Sequence, residues 1–151
     1  MRKDLIFSED EVKFLHELAR QKVDFMIVGL SAAALQGAPV VTQDVDLWFK
    51  NLEDPRIKKA LKKVDGAYVP PMGSNPPMFA GDAVNLFDIV VHMHGLGEFD
   101  EEKKQAVRIP LGKLKLRVLS LAQIIKSKKA LGRRKDLMVL AVLADALKTR
   151  R

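Results

Sequence analysis

The chain has 151 residues, a size at which one domain spanning 1–151 with its own core is expected, and it has no cysteine, which excludes disulfides, thiolate zinc sites and cysteine nucleophiles. Its formal charge of +7 conceals a division: residues 1–102 carry 11 Lys and Arg against 17 Asp and Glu, whereas residues 103–151 carry 15 against Asp136 and Asp145 alone. An acidic part of −6 followed by a basic part of +13 points to polyanionic partners such as a nucleoside triphosphate or RNA, although a lysine-rich solvated surface gives the same count.

The start, Met1-Arg2-Lys3-Asp4-Leu5, lacks the apolar core of a signal peptide, and no apolar run reaches the length of a membrane span. A cytoplasmic protein without a membrane partner is expected. Ser8-Glu9-Asp10-Glu11 has capping-box spacing, and Val12, Leu15, Leu18 and Ala19 follow at helical intervals, which predicts a helix from about Glu9 to Gln21. Phe25 to Val28 reads as a buried strand stopped by Gly29, a residue that lets the backbone turn sharply and approach a ligand. Ser31 is placed to cap a short helix over Ala32 to Gln36, whose exposed N–H groups would face an anion. Asp44 and Asp46 alternate around Val45. On a strand both would emerge on one face, roughly 6.6 Å apart.

Asp54-Pro55 starts a helix that should reach about Val64 and end before Gly66. From Gly66 to Asp82, two Pro-Pro pairs and Gly73-Ser74-Asn75 predict a long loop bordering the cleft, with a short strand at Ala67 to Val69. Leu86 to His92 reads as a central strand in which Asp88 interrupts the apolar run, a position that costs several kcal/mol unless the acid is paired or binds a metal. Glu98 to Lys104 is a short helix. Ala106 to Ile109 and Lys115 to Leu119 form a hairpin at the sheet edge, where Pro110 is tolerable. Ser120 with Gln123 opens a helix to Leu131, ended by Gly132. The last helix starts near Lys135 or Asp136, with Asp136 as its cap and Leu137, Leu140, Ala141, Ala144 and Leu147 as its buried face, so that about 120–151 is a basic helical part. His92 and His94 read as strand-end or loop residues, Trp48 and Phe49 as core, and the methionines as scattered core filling. The order of elements predicts an α+β fold with a mixed β-sheet and helices packed over it.

If Asp44, Asp46 and Asp88 meet across neighbouring strands, they would hold divalent ions. With Gly29 and Ser31 after an apolar strand, Thr42-Gln43-Asp44-Val45-Asp46-Leu47, Phe87-Asp88-Ile89, and Lys128 before Gly132-Arg133-Arg134-Lys135-Asp136, the sequence resembles the nucleotidyltransferase superfamily with the DNA polymerase beta-like catalytic fold. More narrowly it looks like its small members related to abortive-infection toxin enzymes. The matching stretches span Phe25 to about Leu147; in place of the second Gly or Ser usual in the family turn stands Leu30.

The resemblance implies a metal-dependent enzyme that moves a nucleoside monophosphate from a triphosphate to an acceptor hydroxyl. Asp44 and Asp46 would hold magnesium or manganese, with Asp88 joining at a second ion or acting as general base. Gly29 and Ser31 would contact the phosphates, and Lys128, Arg133 and Lys135 would neutralise them. It implies RNA or tRNA, or a partner protein of a toxin-antitoxin system, as acceptor. An alternative from another class is a nucleotide- or RNA-binding module that keeps the fold with weakened catalysis, Leu30 being its hint.

Overall fold

The computed structural model describes residues 7–149; Met1-Arg2-Lys3-Asp4-Leu5 and the final arginines of the basic part, Arg150 and Arg151, lie outside them. Helix α1 (Glu9–Arg20) opens with the expected capping box: Ser8 Oγ accepts from Glu11 N at 3.2 Å, and the Glu11 carboxylate accepts from Ser8 N at 2.7 Å. Phe14, Leu15 and Leu18 of α1 are buried. Strand β1 (Phe25–Val28) is buried at all four positions and runs straight into helix α2 (Gly29–Leu35), then strand β2 (Val45–Phe49) and helix α3 (Pro55–Lys62), capped by Asp54.

Strands β3 (Ala67–Val69) and β4 (Met78–Ala80) form a separate antiparallel pair. The span expected to be a long loop is therefore a hairpin, with β3 where the sequence put it. Its tip is closed by reciprocal backbone bonds between Met72 and Asn75 around Gly73, whose φ is +56°. Strand β5 (Phe87–Val90), helix α4 (Phe99–Lys103), strands β6 (Val107–Leu111) and β7 (Leu114–Val118), and helices α5 (Leu121–Leu131) and α6 (Arg134–Thr149) complete the chain. Gly132 ends α5 with φ +62°, as expected of a left-handed C-terminal residue.

The main sheet has the order β5-β2-β1-β7-β6. β2 runs antiparallel to β1 and parallel to β5, while β7 runs parallel to β1 and antiparallel to β6, so the fold is α+β with a mixed sheet. The β6–β7 hairpin lies at one edge, and Pro110 sits on its outer strand. The other edge is β5, which corrects the expectation of a central strand at Leu86 to His92. The segment is shorter and has β2 on one side only, so Asp88 is exposed and carries only part of the burial cost expected of it.

Aromatic rings fasten the β3–β4 hairpin to the sheet. Phe79 of β4 meets Phe14 at 5.6 Å and Phe49 at 5.8 Å, and Phe14 meets Phe87 of β5 at 5.4 Å. Trp48 and Phe49 are core residues, as expected. The methionines are not uniformly so: Met26 is buried, but Met72, Met78 and Met138 are exposed. The inward face of α6 also differs from expectation. Asp136, Leu143 and Ala146 are buried, whereas Leu137, Ala141 and Leu147 are exposed, because α6 is apolar around most of its middle and periodicity does not choose a face. No helix among the described residues is long and apolar enough to cross a membrane.

Candidate active site

The sheet register decides where the acids stand. β1 and β2 pair Val28 with Asp46, and β2 and β5 pair Asp46 with Asp88, so the two carboxylates are side by side on strands about 4.8 Å apart. Asp44 lies just before β2, where Thr42 holds the chain: its hydroxyl donates to Asp44 O at 2.8 Å and accepts from Asp44 N at 3.3 Å. Because β1 ends opposite Asp46, the turn at Gly29 falls against that acid. Gly29 has φ +71°, and a Cβ there would lie 2.5 Å from Asp46 Oδ2. A glycine is thus needed both by the backbone and by the carboxylate beside it.

Ser31 is placed differently from expectation. α2 begins at Gly29, three residues early, without a side-chain cap. Ser31 is inside the helix, buried, and its hydroxyl donates to Val28 O at 3.0 Å. The part of the turn that faces the acids is Gly29 and Leu30. Buried Gln36 holds α2 against the sheet by donating to Leu119 O at 2.7 Å.

Opposite the acids stands a cationic wall built by α5 and α6. Asp136 is fully buried and gathers it: Lys128 Nζ lies 3.2 Å from its Oδ1, and Arg133 donates to it from Nε at 2.6 Å and from the guanidinium end at 3.1 Å. The same carboxylate accepts from Arg133 N at 3.2 Å and so caps α6, the role the sequence assigned to it. Its clamp on Lys128 had no signal in the sequence. The Arg133 guanidinium, followed by Lys128, holds the Asp136 carboxyl down to about 2. Lys135 is exposed and lines the same hollow.

Three hollows join at this place. The central one, about 310 Å³, is lined by Asp44, Asp46 and Asp88 on one side and by Lys128, Arg133 and Lys135 on the other. A second, about 260 Å³, shares Asp46, Lys128 and Arg133 with it and is walled by Met93, Leu131 and the loop histidines His92 and His94. A third, about 520 Å³, meets the central one at Asp88 and extends under the β3–β4 hairpin. A further hollow beside α3, about 420 Å³, has no residue in common with the acids.

Asp46 tests whether a cation fits. Its carboxyl is pushed up to about 6, first by burial, then by Asp88, with Asp44 adding and Lys128 opposing. Burial and Asp44 push Asp88 up as well. The central hollow therefore concentrates negative charge that its surroundings leave undercompensated, on oxygen ligands of the kind magnesium or manganese takes. The expected convergence is nonetheless incomplete. Among the described residues no three His, Asp or Glu side chains stand close enough together to form a ready-made metal group. Asp46 is part-buried and fixed by the sheet, whereas Asp44 and Asp88 are exposed at the rim and would turn inward to share an ion.

No family model and no curated protein matches the sequence. Solved structures do match the fold. The aminoglycoside nucleotidyltransferase ANT(2'')-Ia, in complex with adenylyl-2''-tobramycin, aligns over 90% of this chain and 86% of its own at 14% identity, with a TM-score of 0.59. The solution structure of the same antibiotic-resistance factor aligns over 100% and 91% at 13% identity, TM-score 0.63. An antigenic nucleotidyltransferase-like protein from Paracoccidioides brasiliensis aligns over 91% and 77% at 20% identity, TM-score 0.54. With acids in register on neighbouring strands and backbone likeness along nearly its whole length, the chain has the nucleotidyltransferase fold.

Proposed function

We propose that the protein is a divalent-metal-dependent nucleotidyltransferase that moves a nucleoside monophosphate from a nucleoside triphosphate to an acceptor hydroxyl. The observation that carries this reading is the pairing of Asp46 with Asp88 across parallel strands, with Asp44 two residues away, facing the cations of α5 and α6 over one hollow. Such a hollow suits a triphosphate, whose oxygens need both a metal and fixed positive charge.

Asp44, Asp46 and Asp88 would hold magnesium or manganese, which supplies charge neutralisation on the phosphates and at the leaving oxygen. Lys128 and Arg133, held in place by Asp136, would bind the phosphate tail, and Lys135 would add charge at the rim. The open N–H groups of the turn at Gly29 and Leu30 would face the phosphates; Ser31 contributes by fixing that turn. Asp88 would take the proton of the acceptor hydroxyl. The acceptor oxygen then bonds to the α-phosphorus, the bond from that phosphorus to the bridging oxygen breaks, and pyrophosphate leaves with the electron pair. The basic part of the chain favours RNA or tRNA as one acceptor class, and a partner protein of a toxin-antitoxin pair is the other.

Incubation with magnesium, each α-labelled triphosphate in turn and total cell RNA or protein tests the reading. Label transfer with release of pyrophosphate is expected, together with its loss in Asp46→Asn while the circular dichroism spectrum is kept. Full activity in that variant would remove the role given to the acids.

A further inference from the structure

We propose that a hollow where β1 begins, at the opposite end of that strand from the acids, is a binding site for a phosphate dianion, either free or as the monoester of a small molecule. The hollow has a volume of about 250 Å³ and lies between the end of α1, the entry to β1 and the β6–β7 hairpin. β1 leads from Phe25 in this hollow to the turn at Gly29 beside Asp46, four residues or roughly 13 Å away, and no residue lines both this hollow and the central one. The proposal is therefore independent of the nucleotidyl-transfer reading.

Four cations, Lys22, Arg108, Lys115 and Arg117, line this hollow, and Asp24 is the single acid among its lining residues. Asp24 is already engaged by Lys103 Nζ at 2.9 Å, so the hollow keeps a surplus of positive charge. Lys22, Arg108 and Lys115 make no ion pair with a carboxylate among the described residues. Lys22 also closes α1 at φ +62°, a left-handed position that glycine usually takes. The strand register sharpens the surplus: Arg108 stands directly opposite Arg117 across the hairpin, and like charges so placed repel unless an anion lies between them. The Arg117 side chain is only 17% exposed, and burial, then Arg108, push its guanidinium down, with Asp24 opposing. Its Nη1 donates to Phe25 O at 3.3 Å and lies 3.7 Å from Asp24, which fixes the group, while Nε and Nη2 have no protein partner among the described residues. Those two nitrogens can take a phosphate as a fork. A phosphodiester carries one negative charge, whereas a phosphate monoester carries roughly −1.5 to −2 and three strong acceptor oxygens. Cations gathered around one small concavity, rather than set out in a stripe, suit the more highly charged group. The apolar side chains of Val23 and Phe25 also line the hollow, where they would meet a small organic part.

The probes are inorganic phosphate, glycerol 3-phosphate, dimethyl phosphate and a short oligouridylate, each titrated into the isotope-labelled full chain at physiological ionic strength without divalent metal, with amide NMR shifts as the readout. Phosphate and glycerol 3-phosphate should shift the amides of Lys22 to Phe25, Arg108 and Lys115 to Arg117, and dimethyl phosphate should bind about tenfold more weakly. Tighter binding of glycerol 3-phosphate than of phosphate identifies an organic monoester as the ligand, and the reverse identifies the free ion; either supports the site. The double variant Arg108→Gln, Lys115→Gln should weaken both dianions by about tenfold or more, whereas Lys58→Gln, Lys59→Gln on α3, which removes the same charge, should leave them within about twofold. All four positions are exposed, so both variants should fold. Saturating phosphate should raise the melting temperature of the wild type and not that of the Arg108, Lys115 variant. Absence of that rise in the wild type overturns the proposal, as do equal weakening in the α3 variant or shifts confined to Lys128 and Arg133 in the central hollow. Tighter binding of the oligouridylate than of either dianion, with its shifts at the same amides, would make the hollow part of a polynucleotide groove and overturn it too.

Discussion

Replacing Asp136 by Asn removes one charge from the least accessible point of the cationic wall. In the wild type the carboxyl is drawn from 3.8 to about 2 by Arg133 and Lys128, which at face value is worth about 2 kcal/mol. Arg133 is half exposed, and screening by water reduces this to about 1–2 kcal/mol. That figure already contains the share of Lys128, whose side chain is only 17% exposed. A loss of about 1–2 kcal/mol in urea unfolding at pH 7 is expected for Asp136→Asn. The pH dependence has a definite sign. A carboxyl with a depressed folded pKa stabilises fully above about pH 4 and ceases to do so as pH falls towards 2, so the gap between wild type and variant should narrow on acidification. In the transfer assay the same variant should raise KM for the triphosphate roughly tenfold, since two cations lose their anchor. A gap below 0.5 kcal/mol at pH 7, or one that widens towards pH 2.5, would refute this account of the wall.

Asp46→Asn should be more stable than the wild type at pH 7 even as transfer is lost. The carboxyl is displaced upward to about 6, so its ionisation penalises the folded state as pH rises from about 4 to 6. After discounting for its partial exposure the gain is about 1–2 kcal/mol in denaturant unfolding at pH 7 and near zero at pH 4; a less stable variant at neutral pH would contradict it. Gly29→Ala places a Cβ against Asp46 Oδ2 at a φ of +71°. Unfolding free energy should drop by about 1–2 kcal/mol, and transfer should fall more than tenfold because Asp46 must move. Retention of wild-type kcat/KM would show that the turn does not set the position of that acid.

Much of the site was legible because it depends on local rules. The buried strand from Phe25 to Val28, the stop at Gly29 and the Asp-x-Asp alternation follow from burial, backbone freedom and the two-residue period of strands. Capping chemistry likewise gave α1, α3 and α5 to within a few residues. What escaped depends on which element lies beside which. Leu86 to Val91 is apolar enough for a central strand, and only the sheet order reveals an edge. The Pro-Pro pairs imply irregularity, yet the aromatic contacts of Phe79 hold β4 as a strand. Ser31 lost the capping role because the glycine turn itself became the first residue of α2. Asp136 as the anchor of Lys128 could not be read from spacing, since their meeting depends on the angle between two helices.

The two facing acids differ in how firmly the molecule holds them. β2 is bonded on both flanks, but β5 on one, so amide hydrogen exchange should be slow along Val45–Phe49 and faster along Phe87–Val90. Peeling away β5 would withdraw Asp88 and one wall of the neighbouring hollow together, while the glycine turn and the cationic wall stayed intact. Under the proposed function, such opening would part Asp88 from Asp46 and slow transfer.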